Sequence, residues 1–254
     1  MVPLSIAIIA KNEEQSLKKL LPVVCAIAKQ VVVVVDNAGT DATVGVCRDF
    51  GVTVVEEPWR GSIEQKNLAL SLCSEDWIWS LDADEIPDAK LLDAVRTFIE
   101  TMPSGAARVQ RRTVYLGKKL RYAWQPDVHL RLVHRSLQPR FVNYNGHDKM
   151  QCEAKESTLV QGWLDHYSFV SIAHHFEKTV YYAKLGADDY YAKGRRAGII
   201  NLIINPAVAW IKMSVMRGAL LDGFPGVLAG LSAWLHVFLK YAMLIQKQRG
   251  EHRS

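Results

Sequence analysis

Two carboxylates one residue apart, Asp82 and Asp84, close the apolar run Trp77–Leu81. Such a run reads as a buried strand, and in an open α/β sheet ligands bind beyond the carboxyl ends of the strands. Two acids placed there repel one another. A divalent cation, Mn2+ or Mg2+, relieves the repulsion and can bridge a diphosphate. This assigns Asp82 and Asp84 to a metal, and Asp82 also to a bound nucleotide. The competing reading is a helix start, which favours acids. Pro87 and Asp88 meet that need a few residues later.

Three further segments place polar groups after apolar runs. Asp36 follows the valines Val31–Val35 and can accept from a base N–H or a ribose hydroxyl, whereas Asp41 suits plain helix capping. Asn12 and Glu13 follow Leu4–Ala10 and would face the same crevice. For Glu13, nucleotide contact and capping are evenly balanced. Lys66 lies one turn inside a helix opened by Gly61, where a cation can meet diphosphate oxygens or a neighbouring carboxylate. The alternative is a solvated helical lysine. With no GxGxxG and no Walker loop, hydride transfer and P-loop phosphoryl transfer find little support.

The elements that must position these groups alternate through the first hundred residues. Strands are expected at Leu4–Ala10, Val31–Val35, Val52–Val55 and Trp77–Leu81. Helices are expected at Glu14–Lys29, where Pro22 sits awkwardly, from Thr40 through Phe50, and at Ser62–Leu72. Alternation of this kind implies a parallel sheet with right-handed crossovers. Shorter strands follow at 108–116, 129–134, 140–144 and 157–166, then a Tyr-rich helix at Ser171–Arg195. One continuous globule is expected, divided into a nucleotide-binding and catalytic region at 1–170 and a helical region at 171–254.

The last part, Gly198–Gln246, holds two apolar stretches, Ile199–Leu221 and Phe224–Ile245. Pro206, Lys212 and Arg217 interrupt the first, and His236 and Lys240 the second, which weakens a spanning reading. Helices lying in a membrane interface are favoured, with Trp210, Trp234, Lys212, Arg217 and Lys240 as anchors. An ordinary packed helical pair is the alternative.

Charge and cysteine usage narrow the setting. The net charge of +5 in 254 residues suits an acidic partner, and Arg108, Arg111, Arg112, Lys118, Lys119, Arg121, Arg131, Arg135 and Arg140 concentrate it in the middle third. A phosphate-rich acceptor beside an anionic bilayer fits this charge, and a solvated face is the bland alternative. No recognition helix or RNA-binding signature accompanies it, so nucleic acid is not expected. Cys25, Cys47, Cys73 and Cys152 form no CxxC pair, which points to free thiols in a reducing compartment. The start lacks a basic n-region and reads as a core strand, so a cytoplasmic protein is expected.

The strings IAIIAKNEE, VVVDNAGTDAT, PWRGSIEQKNLAL, WIWSLDADE, PDVHLRLVHR, LDHYSF and LLDGFPG occur in this order over nearly the whole chain. Together they resemble glycosyltransferase family 2, and within it β-1,4-glucosyltransferases that glucosylate an inner-core heptose of lipopolysaccharide. The resemblance implies an α/β, GT-A fold, a mostly parallel Rossmann-like sheet with flanking helices and a C-terminal helical annex. It implies inverting transfer of a hexose, glucose from UDP-glucose first, to a lipid-linked glycan on the cytoplasmic face of the bacterial inner membrane. It also implies that Asp36 binds the uridine part, and Asp82 and Asp84 the ribose, metal and diphosphate.

Two departures stand out. The turn after the second strand reads DNAGTD where relatives show a DSGSTD-like turn, so Ala38 replaces a hydroxyl. Asn145-Gly146-His147-Asp148 stands where relatives carry His-Glu, one methylene longer. Inverting attack by an acceptor hydroxyl needs a base, and Asp148 is the candidate. Its alternative is a loop carboxylate paired with Lys149 or Arg140. Of the histidines, His166 is singled out as able to complete a metal shell or touch the acceptor. Transfer to a polyprenyl phosphate and a non-catalytic sugar-nucleotide-binding adaptor are the competing functions.

Overall fold

The computed structural model describes residues 1–144, 147–154 and 156–251. The chain divides into two compact units, Met1–Arg111 with Asp127–His166, and Arg112–Pro126 with Tyr167–Ser254. A single boundary at 170 does not express the excursion of Arg112–Pro126 into the second unit.

The first unit is built on one mixed sheet. Its parallel half runs β3 (Thr53–Glu57), β2 (Ala28–Asp36), β1 (Val2–Ala10) and β4 (Trp77–Asp82). The centre of this half is apolar on both faces because helices cover both: Ile6, Ile8, Val33 and Val35 pack in one buried cluster, Ala7, Val32 and Val34 in another. The crossovers are α1 (Glu14–Cys25), α2 (Thr43–Asp49) and α3 (Ser62–Ser71). Helix α1 ends at Cys25, short of the expected Lys29, because β2 already starts at Ala28. Pro22 is tolerated inside α1 on its exposed side. Helix α2 starts at Thr43 rather than Thr40, since Asp41 turns the chain first by accepting from Thr43 N at 3.0 Å.

Beyond β4 the order continues β8 (Val128–His134), β6 (Ala106–Tyr115), β11 (Glu156–His166) and β5 (Glu85–Pro87). β8 pairs antiparallel with both β4 and β6, and β11 antiparallel with β5. Helix α4 (Ala89–Thr101) is capped by Asp88, whose side chain accepts from Leu91 N at 2.9 Å. A separate hairpin, β9 (Arg140–Tyr144) and β10 (His147–Gln151), carries Asp148.

The second unit contains β7 (Lys118–Lys119) and three helices, α5 (Ile172–Ala192), α6 (Ile199–Ile211) and α7 (Phe224–Glu251). Ser171 caps α5 through His174 N, as its residue type favours. Lys212–Met216 continue α6 as one wide π turn. The core here is aromatic: Tyr115, Trp124, Phe169 and Phe176 surround the buried His175, which donates to or accepts from Tyr115 Oη at 3.0 Å. All four cysteines are free thiols.

Candidate active site

Parallel registry brings the first carboxylates to one edge. Ala10 is level with Val35 of β2, and Ile9 with Asp82 of β4. Asp36 and Asp82 therefore end the strands on either side of β1, about 10 Å apart at the usual strand spacing. That span suits the two ends of a nucleoside diphosphate.

At one end, Asp36 is buried. Its Oδ1 accepts from Ala38 N at 3.0 Å and its Oδ2 meets Lys11 Nζ at 2.6 Å. Lys11 first, and the Ala38 N–H second, hold the carboxyl below its ordinary value. The turn after β2 is pinned by Asn12. Its backbone is left-handed, φ 55°, a conformation asparagine tolerates better than most residues, and its Oδ1 accepts from Thr40 N at 2.7 Å. Glu13 stands at the start of α1 without a side-chain capping bond, and its N–H donates to Thr43 Oγ1 at 2.8 Å.

At the other end lies a row of alternating charges. Asp127 meets Arg111 Nε at 2.7 Å, and Arg111 reaches Glu85 Oε1 at 2.9 Å. Arg131 bridges Glu85 Oε1 at 2.5 Å and Asp82 Oδ2 at 2.8 Å. Lys66 then bridges Asp82 Oδ1 at 2.8 Å and Asp148 Oδ2 at 2.5 Å. Each inner member has opposite charge on both sides, which offsets the desolvation that burial imposes. Burial alone would lower the Lys66 ammonium's pKa, but Asp82 and Asp148 outweigh it and the value is raised. The same contest holds Asp82 well below the carboxylate range, through Arg131 and Lys66, and lowers Asp148 through Lys66. Asp127 falls to about 2, its burial overcome by His129 and Arg111. Glu85 is the anchor: fully buried, it also accepts from Asp82 N at 3.0 Å and so fixes the turn between the two aspartates.

Local structure explains how these groups meet. Gly61 adopts φ 113°, and a Cβ there would lie 2.8 Å from Glu64 Oε2, so glycine lets α3 start where Lys66 points at the sheet edge. The next residue, Asn67, clasps β9 with its amide: Nδ2 donates to Phe141 O at 3.0 Å, and Phe141 N donates to Oδ1 at 2.7 Å. The hairpin that carries Asp148 is thereby docked on the helix that carries Lys66.

Lys66, Asp82, His129, Arg131 and Asp148 all line one cavity of about 520 Å³, within the usual range for small-molecule sites. Asn12, Glu13, Asp36 and Asp84 lie outside its lining. Asp84 faces a different partner, His166 of β11, with Oδ2 and Nε2 3.3 Å apart. Two ligand atoms on adjacent positions of an octahedral Mg2+ or Mn2+ shell would be about 3 Å apart, so this pair fits one edge of such a shell. Among the described residues no three His, Cys, Asp or Glu side chains converge as a complete metal site. A shell filled out by phosphate oxygens and water is how Mg2+ is commonly held. Each Asp82 oxygen already faces one cation, Lys66 or Arg131, so a metal reaching Asp82 would use the second lone pair of an oxygen that it shares with one of them.

Lys66 near a carboxylate was legible in the sequence. The roles of Glu85, Arg111, Asp127, Arg131 and Asn67 were not. The available signal was alternation in β8, where His129 and Arg131 share a face between apolar neighbours. Asp148 lies on strand β10 rather than in a loop, while Asn145 and Gly146 before it fall outside the described residues.

A parallel half-sheet with acids at its open edge, joined to antiparallel strands beside a polar cavity, is the architecture of the GT-A fold. Residues 5–154 match the family model described as glycosyl transferase family 2, and the chain belongs to that family and is a glycosyltransferase. It is similar to the lipopolysaccharide core biosynthesis glycosyltransferase LpsC of Rhizobium meliloti (strain 1021), 26% identical over 97% of this chain and 93% of that protein. An uncharacterized glycosyltransferase of Rickettsia typhi is 27% identical over 96% of this chain and 87% of its own length. Among solved structures, the mannosyltransferase PcManGT from Pyrobaculum calidifontis, in complex with GDP-Man and Mn2+, superposes with a TM-score of 0.57 at 15% identity, covering 96% of this chain and 87% of that one. Residues 1–349 of S. aureus TarS give 0.52 at 14% identity, covering 99% and 92%. These two likenesses support the GT-A fold.

Proposed function

We propose that this chain is an inverting hexosyltransferase that moves glucose from UDP-glucose to a lipid-linked glycan, the heptose of a lipopolysaccharide inner core, at the cytoplasmic face of the inner membrane. The observation that carries the reading is the Asp82–Lys66–Asp148 bridge. One buried ammonium holds the strand-end carboxylate and the carboxylate of the β9–β10 hairpin within two contacts of each other, at a cavity large enough for a sugar. The likeness to LpsC over nearly both whole chains supports the acceptor class.

In this reading Asp36 and Asn12 meet the uridine end, with Glu13 beside them. Asp84 and His166 would hold Mn2+ or Mg2+, which when bound neutralises the charge gathering on a departing diphosphate. Asp82 holds Lys66 and Arg131 where donor phosphates arrive. The acceptor hydroxyl oxygen bonds to the anomeric carbon as the bond from that carbon to the diphosphate oxygen breaks. Asp148 takes the hydroxyl proton on the oxygen not engaged by Lys66. Its depressed pKa keeps it ionised and ready throughout the neutral range. Labelled-donor transfer to deacylated inner-core acceptor, against a panel of UDP-sugars, tests the proposal. Transfer only to a polyprenyl phosphate would overturn the acceptor, and no transfer or donor hydrolysis with either metal would overturn the enzyme reading.

A further inference from the structure

The second unit carries a surface that the transfer chemistry does not use. Helix α6 exposes Ile199, Ile200, Ile203, Ile204, Val208 and Ile211, each between 46% and 70% accessible. Their spacing of one, three and four residues sets them on one face, and Val215 and Met216 extend it through the π turn. A water-facing helix ordinarily carries charge on that side, whereas this one carries none before Lys212. A contiguous apolar face of this size marks an interaction site.

The surrounding charge says what covers it. From Tyr190 to Gly250 the only acidic residue is Asp222, and it is buried. Arg195 and Arg196 are exposed just before α6, where Lys193 is paired with Asp189 at 2.8 Å, and Lys212 and Arg217 are exposed just after its apolar run. An apolar stripe bounded at both ends by cations complements acyl chains below anionic headgroups.

The turn between α6 and α7 excludes a hairpin that crosses. The Asp222 carboxylate accepts from the backbone N–H groups of Arg121, Tyr122 and Ala123 at 2.9–3.0 Å, and Lys118 Nζ donates to Asp222 O at 2.7 Å. Gly226 seats α7 against the same turn, where a Cβ would lie 1.7 Å from Ala219 O. The turn is thus fastened to a segment that exposes Lys118, Lys119 and Arg121. A crossing hairpin would drag those cations into hydrocarbon, which strongly disfavours them.

We propose that α6 lies flat in the interface of an anionic bilayer, its isoleucine stripe at the acyl boundary and the flanking cations on lipid phosphates. This deepens the membrane-surface part of the proposed function and involves none of its site residues. The full chain is floated with phosphatidylcholine vesicles, with and without phosphatidylglycerol, beside the Ile203→Asp/Val208→Asp variant and an Arg195→Ala/Arg196→Ala/Lys212→Ala variant. A thermal melt confirms that these surface substitutions leave the fold intact. The expected results are preferential binding to the anionic vesicles, a loss of about 100-fold in the aspartate variant, a loss of about tenfold or more in the alanine variant and in high salt, and release by alkaline carbonate. Wild-type-like flotation of the aspartate variant overturns the assignment of α6 while leaving a membrane-bound transferase standing. Carbonate resistance overturns the in-plane seating. Conversion of a dimer to a monomer with flotation unchanged assigns the face to a second copy of the chain instead. Failure of the wild type to float overturns the inference and the membrane setting together, and transfer to a deacylated acceptor then judges the chemistry separately.

Discussion

Asp148→Asn would separate the proposed proton abstraction from the other contacts of the cavity. The amide has the size of the carboxylate, and its oxygen can still accept from Lys66, so the 2.5 Å contact loses charge rather than geometry. Replacing the ion pair by an ammonium–amide hydrogen bond costs about 1–2 kcal/mol, and the group is partly exposed, so the lower end applies. In a chain of this size that lowers Tm by about 2–4 °C. The rate should suffer far more. A positioned general base is worth about 10²–10⁴-fold, or roughly 3–5.5 kcal/mol of barrier. Donor binding should persist within about threefold, because Asp36, Asp84 and His166 belong to β2, the turn after β4, and β11 rather than to the β9–β10 hairpin. The assay pairs single-turnover transfer of labelled glucose with calorimetric titration of UDP-glucose. Transfer within threefold of wild type, with the fold intact, would remove Asp148 from the mechanism.

Three other perturbations follow from the same contacts. Because Lys66 holds the Asp148 pKa below its ordinary value, the acid limb of kcat/KM should lie below the usual carboxylate pKa of about 3.9, and Lys66→Met should move it to higher pH; an unmoved limb would refute the coupling. The same sign governs stability: the Lys66–Asp148 pair stabilises the fold above that unfolded-state value, and its contribution is lost as pH falls through the lower folded-state pKa, which acid melts of wild type and Lys66→Met would show. Asp84→Ala and His166→Ala should each abolish the extra thermal protection that Mn2+ adds to UDP, while UDP alone protects as before; metal-dependent protection equal to wild type would exclude the pair. Arg131→Met should destabilise by about 3–5 kcal/mol, since it strands the buried Glu85 with one cation instead of two, and a chemical denaturation curve superposable on wild type would contradict the charge row.

What was legible in the sequence was whatever local pattern dictates. The valine run of β2 and the strand ending in Asp82 follow from apolar continuity, and Asp36 falls at the sheet edge because it directly follows that run. The cap of α5 follows from Ser171 itself. What local pattern leaves open is pairing across the chain. Glu85 stands 26 residues from Arg111 and 46 from Arg131, and the pairing order β4-β8-β6-β11-β5 is what places their strands in one sheet. Read along the chain, Arg111 and Arg131 belong to a basic stretch that suits a phosphate-rich acceptor or a solvated face, and nothing local pairs them with Glu85. The excursion of Arg112–Pro126 into the second unit escaped for the same reason: it is held by Asp222, a hundred residues away. The start of α2 escaped differently, because Thr40 and Asp41 are both good caps and the Asp41 hydrogen bond to Thr43 decides between them.

The proposed chemistry seats a divalent cation at Asp84 and His166, beside the donor's diphosphate at the sheet edge. The most direct measurement is anomalous diffraction from a crystal soaked with UDP and Mn2+. A single manganese peak beside Asp84 Oδ2 and His166 Nε2, adjoining the bound diphosphate, is expected. A diphosphate bound elsewhere, with the Asp84–His166 contact unbroken and no manganese beside it, would contradict it.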